Sequence, residues 1–263
     1  MARPVIALLT DFGTQDHYVG AMKGVVLSIC PDVSLVDLSH GIAPHNVRSG
    51  ALELAAAYRC FPAGTIFLAV VDPGVGSARR ALAAEAGGFQ FLAPDNGILT
   101  HVFQQTPPAR VVEVTERRYA RSTVSRTFEG RDRFAPAAAW LATGVDVAQL
   151  GRPLTSWEML GVREPAIRGD QIVGEVVRVD HFGNLVTNVD RAVFERFAAG
   201  DGVSITTGTH VIDRVVATYA DVPSGMTCAL FSSCGHLEVA VNGSGASLRL
   251  GLGCGAPVTI SRT

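Results

Sequence analysis

The sequence predicts an α/β protein in which a larger N-terminal domain with a mostly parallel central sheet precedes a smaller domain of antiparallel strands. In the N-terminal part, apolar strand-like runs alternate with segments of helical periodicity, the pattern of a parallel α/β layer. From residue 171 onward, β-like runs follow one another between turns that contain Gly or Asp. This second pattern is typical of a β-barrel or a β-sandwich.

The N-terminal elements follow from apolar periodicity and from the residues that start and stop each segment. Pro31 ends the first helix, Asn46 caps the second and Gly144 ends the third. The predicted strands are 5–10, 34–38, 65–71 and 111–114, and the helices are 18–29, 47–58 and 133–142. The runs 81–86 and 89–93 flank Gly87 and Gly88 and are predicted to form a hairpin or a sheet edge.

A stretch without clear periodicity separates the two parts. It covers 151–169, contains Pro153 and Pro165, and is interpreted as a linker. The predicted domains are therefore 1–160 and 161–263. The elements of the second domain are strands at 172–179, 210–218, 228–231, 237–241 and 258–260, and one short helix at 191–197.

The composition favours a small-molecule or protein partner. The 263 residues are 48% hydrophobic and 17% charged, which is enough apolar material for a core. The 22 Lys+Arg and 24 Asp+Glu residues nearly balance and form no long block of like charge, so we expect neither a nucleic-acid-binding patch nor a polybasic membrane anchor. No uncharged stretch is apolar enough for a bilayer span of about 20 residues, and the first apolar run is too short for a signal peptide. Five cysteines without CxxC spacing favour reduced thiols in the cytoplasm.

Three acidic segments directly follow predicted strands. They contain Asp11 with Asp16, Asp37, and Asp72. In open α/β sheets, ligands bind at the carboxyl ends of strands, so these carboxylates can converge on one pocket. Each aspartate by itself is equally well explained as a turn former or a helix cap. No GxGxxG or GxxxxGK[ST] pattern is present, which leaves the usual phosphate-binding loops without support.

Two other kinds of hydrolytic site are less favoured by the sequence. The carboxylates and the nearby His17, His40 and His45 are suitable metal ligands, but their spacing is not diagnostic and there is no HExxH motif. A two-metal site therefore stays a distant alternative. The chain also lacks the G-x-S-x-G elbow of serine hydrolases.

In the second domain, residues 179–188 and 232–243 place polar groups beside glycine turns. Asn184 can donate and accept along the edge of a base, and Phe182 offers a stacking face. A hairpin turn explains the first segment equally well. The second segment, a small-residue loop followed by a strand, is a weak signal by itself.

Six motifs occur in order along nearly the whole chain. They are LLTDFG at 8–13, VVDPGVG at 70–76, APDNG at 93–97, TFEGRDRFAP at 127–136, DHFGN at 180–184 and LEVAVN at 237–242. Together they resemble the S-adenosylmethionine hydrolases, or SAM hydroxide adenosyltransferases, which are relatives of the fluorinase and chlorinase enzymes. The resemblance implies an N-terminal α/β domain and a C-terminal antiparallel β-barrel. It also implies a homotrimer with sites between the N-domain of one subunit and the C-domain of its neighbour.

The resemblance implies attack of water or hydroxide on C5′ of S-adenosyl-L-methionine, giving adenosine and L-methionine without a metal or organic cofactor. Such a reaction suits a dry pocket, because a sulfonium leaves as a neutral thioether and needs no proton. By similarity, Asp11 binds the ribose hydroxyls and Asp16 the methionine ammonium. Further substrate contacts are expected, by similarity, from the barrel residues Asp180, Phe182, Asn184, Ser233, Glu238 and Val241.

Asp72 and Arg79 match two members of the family's Asp-Arg-His set that handles the water. An Arg beside an Asp keeps the carboxylate ionised and fixes its direction. The third member departs from the pattern, because Glu129 stands where the family has His. Our hypothesis is that Glu129 serves as the base or water-orienting group. The alternatives are a silent SAM- or adenosine-binding protein, in which Glu129 only pairs with Arg131 or Arg133, and a halide-dependent adenosyl transferase.

Overall fold

The internal contacts of the chain divide it into two compact units, Met1–Gly161 and Val162–Thr263. The computed structural model describes residues 3–200 and 202–263. Each unit contains its own sheet and its own hydrophobic core.

The first unit is built on a seven-stranded sheet in the order β2-β1-β3-β5-β4-β6-β7. Its elements are β1 (Val5–Thr10), α1 (Tyr18–Ile29), β2 (Ser34–Ser39), α2 (Val47–Ala57), β3 (Ile66–Val70), β4 (Ala81–Ala86), β5 (Phe89–Pro94), α3 (Thr100–Gln105), β6 (Arg110–Val114), α4 (Ala135–Ala142) and β7 (Gly151–Pro153). Strands β2, β1, β3 and β5 pair in parallel, whereas β4 pairs antiparallel with β5 and β6, and β7 antiparallel with β6. The expected mostly parallel α/β sheet is confirmed.

Strand β1 shows why the central strands read as continuous apolar runs. Ile6 and Leu8 face a core that also contains residues of α1 and α4, while Ala7 and Leu9 face a second core that contains residues of α2 and α3. A strand covered on both faces needs apolar side chains at successive positions. The loops that follow such strands at their carboxyl ends then carry the polar groups.

Several predicted boundaries of this unit are confirmed. Helix α1 occupies 18–29, Gly87 and Gly88 separate the paired strands β4 and β5, and the Asn46 side chain accepts a hydrogen bond from the Ser49 N–H at the start of α2. Helix α3 was not predicted. The last helix is preceded by a π-helical turn, Gly130–Phe134, which joins it to the preceding loop.

The predicted linker at 151–169 is wrong for its first part. Residues 151–153 form β7 on β6, and Trp157 and Leu160 pack against the core of the first unit. The apolar residues of this stretch therefore belong to a folded segment, although their spacing follows no regular period.

The second unit is an antiparallel sheet in the order β12-β11-β15-β9-β10-β14-β13, with β8 paired to β9. Its elements are β8 (Ala166–Arg168), β9 (Gln171–Val179), β10 (Leu185–Asp190), α5 (Arg191–Ala198), β11 (Val203–Thr207), β12 (His210–Ile212), β13 (Thr227–Phe231), β14 (His236–Val241), α6 (Ala246–Leu250) and β15 (Pro257–Arg262). A bridge between Val215 and Ala229 brings the segment after β12 onto β13, so the sheet is nearly closed. The structure therefore selects the barrel over the sandwich.

One predicted strand of the barrel is wrong in extent. The run 210–218 contains only the three-residue β12, and its partner β11 was not predicted. Asp213 and Arg214 follow β12 directly and are exposed, which ends the strand at the surface.

Candidate active site

The loop after β3 brings Asp72 and Arg79 together. Arg79 Nε donates to Asp72 Oδ1 at 3.0 Å, and Arg79 Nη2 donates to Asp72 Oδ2. The loop turns back tightly, with Ser77 Oγ donating to the Gly74 carbonyl at 2.6 Å. Gly76 has φ +76°, and a Cβ there would lie 2.3 Å from the Arg126 carbonyl oxygen. The turn therefore requires glycine at position 76, and it fixes a two-pronged ion pair between residues seven apart.

Glu129 joins this pair from the segment that leads into the π-helical turn. Its Oε2 lies 2.8 Å from Arg79 Nη2, and the residue is only 8% exposed. Arg133 Nε lies 3.5 Å from the same oxygen. The Arg79 guanidinium also lies over the Phe134 ring, 5.3 Å from its centroid. The structure thus brings together Asp72, Arg79 and Glu129, the three residues predicted to handle water.

Electrostatics favour a permanently charged Arg79. Burial by itself would lower the pKa of its guanidinium, but hydrogen bonds and charges from Asp72 and Glu129 outweigh burial and raise that pKa. One arginine therefore faces two carboxylates in a largely buried cluster, and it offsets the repulsion between them.

Asp11 lies in the loop after β1, as predicted. Its Oδ2 accepts a hydrogen bond from the His45 N–H at 2.8 Å, and His45 has a left-handed backbone with φ 66°. Asp16, in contrast, is exposed between β1 and α1. Phe12 makes edge contacts with Phe128, with ring centroids 6.1 Å apart. This contact connects the Asp11 loop to the segment that carries Glu129.

A polar chain beside β1 was not predicted as a unit. Thr10 Oγ1 lies 2.8 Å from His40 Nδ1, His40 Nε2 lies 2.9 Å from Asp37 Oδ1, and Lys23 Nζ lies 2.6 Å from Asp37 Oδ2. Burial would raise the pKa of Asp37, but the hydrogen bonds from Lys23 and His40 lower it overall. Both ring nitrogens of His40 are thus engaged within the protein.

The APDNG motif braces the loop that carries Asp72. Asn96 Nδ2 donates to the Val71 carbonyl at 2.8 Å, directly before Asp72. Asp95 is buried and accepts from Arg80 Nε at 2.7 Å. Through these hydrogen bonds, Asn96 and Asp95 stabilise the conformation of the loop that carries Asp72.

In the second unit, Asp180 organises the turn between β9 and β10. Its Oδ1 accepts from the Phe182 N–H at 2.9 Å and the Asn184 N–H at 2.8 Å, and its Oδ2 accepts from Asn184 Nδ2 at 3.0 Å. Asn184 is buried, whereas Phe182 is 76% exposed. The turn therefore exposes the Phe182 ring to solvent and buries the side-chain amide of Asn184.

Glu238 is the buried carboxylate of the barrel. It is 2% exposed, and Tyr219 Oη donates to its Oε1. Burial raises the pKa of Glu238, and the hydrogen bond from Tyr219 opposes this rise. The pKa of Tyr219 is itself raised by burial and by the bond to Glu238. Sequence reasoning missed Tyr219, since nothing local connects it to a residue on β14.

The remaining predicted barrel residues occupy different environments. Ser233 is exposed in the turn between β13 and β14. The side chain of Val241 packs into the barrel core. Of the two, only Ser233 presents its side chain at the surface of this unit.

A groove of about 500 Å³ lies between α1 and α4, and none of the predicted site residues lines it. Within 3–200 and 202–263, no group of three or more His, Cys, Asp or Glu side chains is placed to hold a metal ion. The helices in these same ranges are all too short or too polar to cross a bilayer.

Two family models match the chain. The model described as the SAM hydroxide adenosyltransferase N-terminal domain matches residues 6–151, and that of the C-terminal domain matches residues 174–259. A protein named (R)-S-adenosyl-L-methionine hydrolase from Thermus thermophilus is 39% identical, with 98% of this chain and 99% of that protein covered. A protein named fluorinase from Actinoplanes is 31% identical, with 98% of each chain covered. A solved structure of an uncharacterized conserved protein from Thermotoga maritima superposes with a TM-score of 0.93 at 37% identity, covering 98% of this chain and 100% of the other.

Proposed function

The chain belongs to the SAM hydroxide adenosyltransferase family, and from this premise we propose that it hydrolyses S-adenosyl-L-methionine to adenosine and L-methionine without a cofactor. The observation that carries the proposal is the convergence of Asp72, Arg79 and Glu129 in one largely buried cluster. The hydrolases among its relatives support water as the nucleophile.

In the proposed reaction, the oxygen of water forms a bond to C5′ while the bond from C5′ to sulfur breaks. The electron pair of the broken bond goes to sulfur, which leaves as the neutral thioether of methionine. The water proton passes to a carboxylate of the cluster and then to solvent, and we assign that carboxylate to Glu129. Asp72 and Arg79 hold the water in line with the breaking bond. Holding the reacting atoms about 3–3.5 Å apart in this orientation lowers the activation barrier by several kcal/mol relative to the reaction in solution.

Substrate binding is proposed for the polar groups placed by the two units. Asp11 accepts from the ribose hydroxyls and Asp16 contacts the methionine ammonium. In the barrel, Asn184 already donates through Nδ2 to Asp180, so its Oδ1 is the atom proposed to accept from the nucleoside. The exposed Phe182 ring packs against adenine. Asp180, Ser233, Glu238 and Val241 are the further barrel residues proposed to contact the substrate.

We further propose that the active form is a cytoplasmic homotrimer. All five cysteines are free thiols, with Cys30 and Cys228 buried, as expected for a reducing compartment. Sedimentation equilibrium of the purified protein measures the mass directly, and a monomer at micromolar concentration would rule out the trimer.

The test of the reaction is chromatography of purified protein incubated with S-adenosyl-L-methionine. The arms are with and without chelator, and with and without chloride. We expect equal amounts of adenosine and methionine in every arm. Asp72→Asn keeps the shape of the side chain but removes its charge, and is expected to stop turnover, whereas Asp32→Asn, an exposed control, leaves it unchanged. A halogenated nucleoside would select adenosyl transfer to halide. Retention of SAM or adenosine without product would select the silent binder.

A further inference from the structure

Two buried polar atoms of the cluster face each other. Glu129 Oε2 and Arg133 Nε are each shielded from solvent, and neither makes an aligned hydrogen bond among the described residues. They lie 3.5 Å apart, four residues apart in sequence. Leaving such atoms without a well-aligned partner costs free energy, so the placement of these two atoms opposite each other needs a physical explanation.

The backbone that places Glu129 and Arg133 opposite each other is irregular. Arg133 lies within the π-helical turn Gly130–Phe134, and Glu129 immediately precedes it. Single π-helical turns occur frequently at functional sites. On its other side, Arg133 Nη1 donates to the Val114 carbonyl at the end of β6, at 3.3 Å. The guanidinium is therefore anchored to the sheet while its Nε faces Glu129.

The charges of the cluster balance only when Arg133 is counted. Asp72 and Glu129 supply two negative charges, and Arg79 and Arg133 supply two positive ones. Arg79 is shared, because it forms its two-pronged pair with Asp72. Without Arg133, two carboxylates would compete for one guanidinium, and a single positive charge would have to offset the repulsion between them.

We propose that Arg133 is the positioning residue of Glu129, which holds the Glu129 carboxylate in place and directed at Arg79. The inference rests on the proposed hydrolysis only for its kinetic consequence. The charged groups that face Glu129 are Arg79 from the loop after β3, which also connects it to Asp72, and Arg133 from the π-helical turn.

The first test needs no turnover. Crystal structures of Arg133→Gln and Arg133→Lys are compared with that of the wild type. We expect the contact between Glu129 Oε2 and Arg79 Nη2, 2.8 Å long in the wild type, to be lost in Arg133→Gln and kept in Arg133→Lys. Arg117→Gln, which removes an exposed positive charge from the same unit, is the matched control and should keep the contact. An unchanged contact in Arg133→Gln overturns the proposal, whether or not the protein turns over.

The second test is a kinetic cycle on SAM hydrolysis. Arg133→Gln should lower kcat by about tenfold or more, because a reacting group that is held less well in place loses rate. KM should stay unchanged, and Arg133→Lys should restore most of kcat. In a Glu129→Gln background, Arg133→Gln should have no further effect on the residual rate, whereas an additive loss would overturn the positioning role. Absence of turnover in the wild type would refute the proposed function, and the structural comparison would still decide the role of Arg133.

Discussion

Arg79 Nη2 lies 2.8 Å from Glu129 Oε2, in the same guanidinium that holds Asp72 in a two-pronged pair. A glutamate at position 129 is therefore compatible with a nearby aspartate, because a shared cation lies against both carboxylates. The ability of Arg79 to contact both carboxylates therefore depends on the planar shape of its guanidinium as well as on its charge.

Arg79→Lys tests that dependence. A lysine ammonium is a single point charge and cannot contact Asp72 through two nitrogens while also facing Glu129. We expect kcat for SAM hydrolysis to fall by about 10²-fold, the scale of a misplaced reacting group, with a smaller change in KM. Arg80→Lys is the matched control, since Arg80 pairs with the buried Asp95. Equal effects of the two substitutions on kcat would contradict a special role for Arg79.

Glu129→Gln tests the proposed base. The amide keeps the size of the side chain but cannot accept the water proton, and removal of a general base typically lowers the rate by about 10²–10⁴-fold. We expect a loss in kcat of this order with little change in KM, measured by adenosine release at saturating SAM. Glu158→Gln, at an exposed glutamate of the same unit, should have no effect. Unchanged turnover in Glu129→Gln would remove Glu129 from the mechanism.

The parts of the fold that could be predicted are those set by neighbouring residues. The bounds of α1 and the cap of α2 by Asn46 depend on side chains within a few positions, and both agree with the structure. The buried strand β3 follows from its apolar run. The segment containing Trp157 and Leu160 was misjudged, because those side chains pack on the sheet in an irregular conformation that has no period.

The same distinction applies to the candidate site. Asp72 and Arg79 share one short loop, so their pairing could be expected from opposite charges seven residues apart. The contact of Tyr219 with Glu238 depends on how a loop lies against β14, which no local pattern encodes. Pairing of Glu129 with Arg131 or Arg133 was one of the alternatives that the sequence left open, and the structure places Arg133 against Glu129. The π-helical turn that carries Arg133 could not be predicted, because the sequence has no recognisable signal for one.

Gly183→Ala tests the turn that carries Asp180 and Asn184. Gly183 has φ +83°, and a Cβ there would lie 2.8 Å from the Gly245 Cα. Gly225→Ala is the matched control, since Gly225 has φ +80° but no atom within 4 Å of an added Cβ. We expect the control to lose about 1–2 kcal/mol of unfolding free energy from backbone strain. Gly183→Ala should lose about 1–3 kcal/mol more from overpacking, as measured by urea unfolding. Equal losses would show that the turn can move away from Gly245.

Asp132 predicts a loss of stability in acid. Burial would raise its pKa, but hydrogen bonds from Arg131 and the Ser125 N–H lower it below 3.8 overall. A carboxyl group with a lowered folded-state pKa stabilises the fold above pH 3.8, and this contribution is lost as the pH falls through the folded-state value. The melting temperature of wild type should therefore fall towards that of Asp132→Asn below about pH 4, where the unfolded carboxyl becomes protonated. A constant difference between the two proteins from pH 7 to pH 2.5 would contradict this assignment.

Glu238 predicts the opposite dependence on pH. Burial raises its pKa above 4.5, so the folded state binds more protons than the unfolded state above pH 4.5, and stability falls as the pH rises from there through the folded-state value. Glu238→Gln should remove this fall. Tyr219→Phe should enlarge it, because Tyr219 donates to the ionised carboxylate and a hydrogen bond to a charged group is worth about 1.5–3 kcal/mol. The measurement is the melting temperature of the three proteins from pH 4.5 to pH 8. The loss caused by Tyr219→Phe should be larger at pH 8 than at pH 4.5, where less of the Glu238 carboxyl is ionised in the fold. A loss independent of pH would mean that the hydroxyl stabilises the barrel without acting on the charge of Glu238.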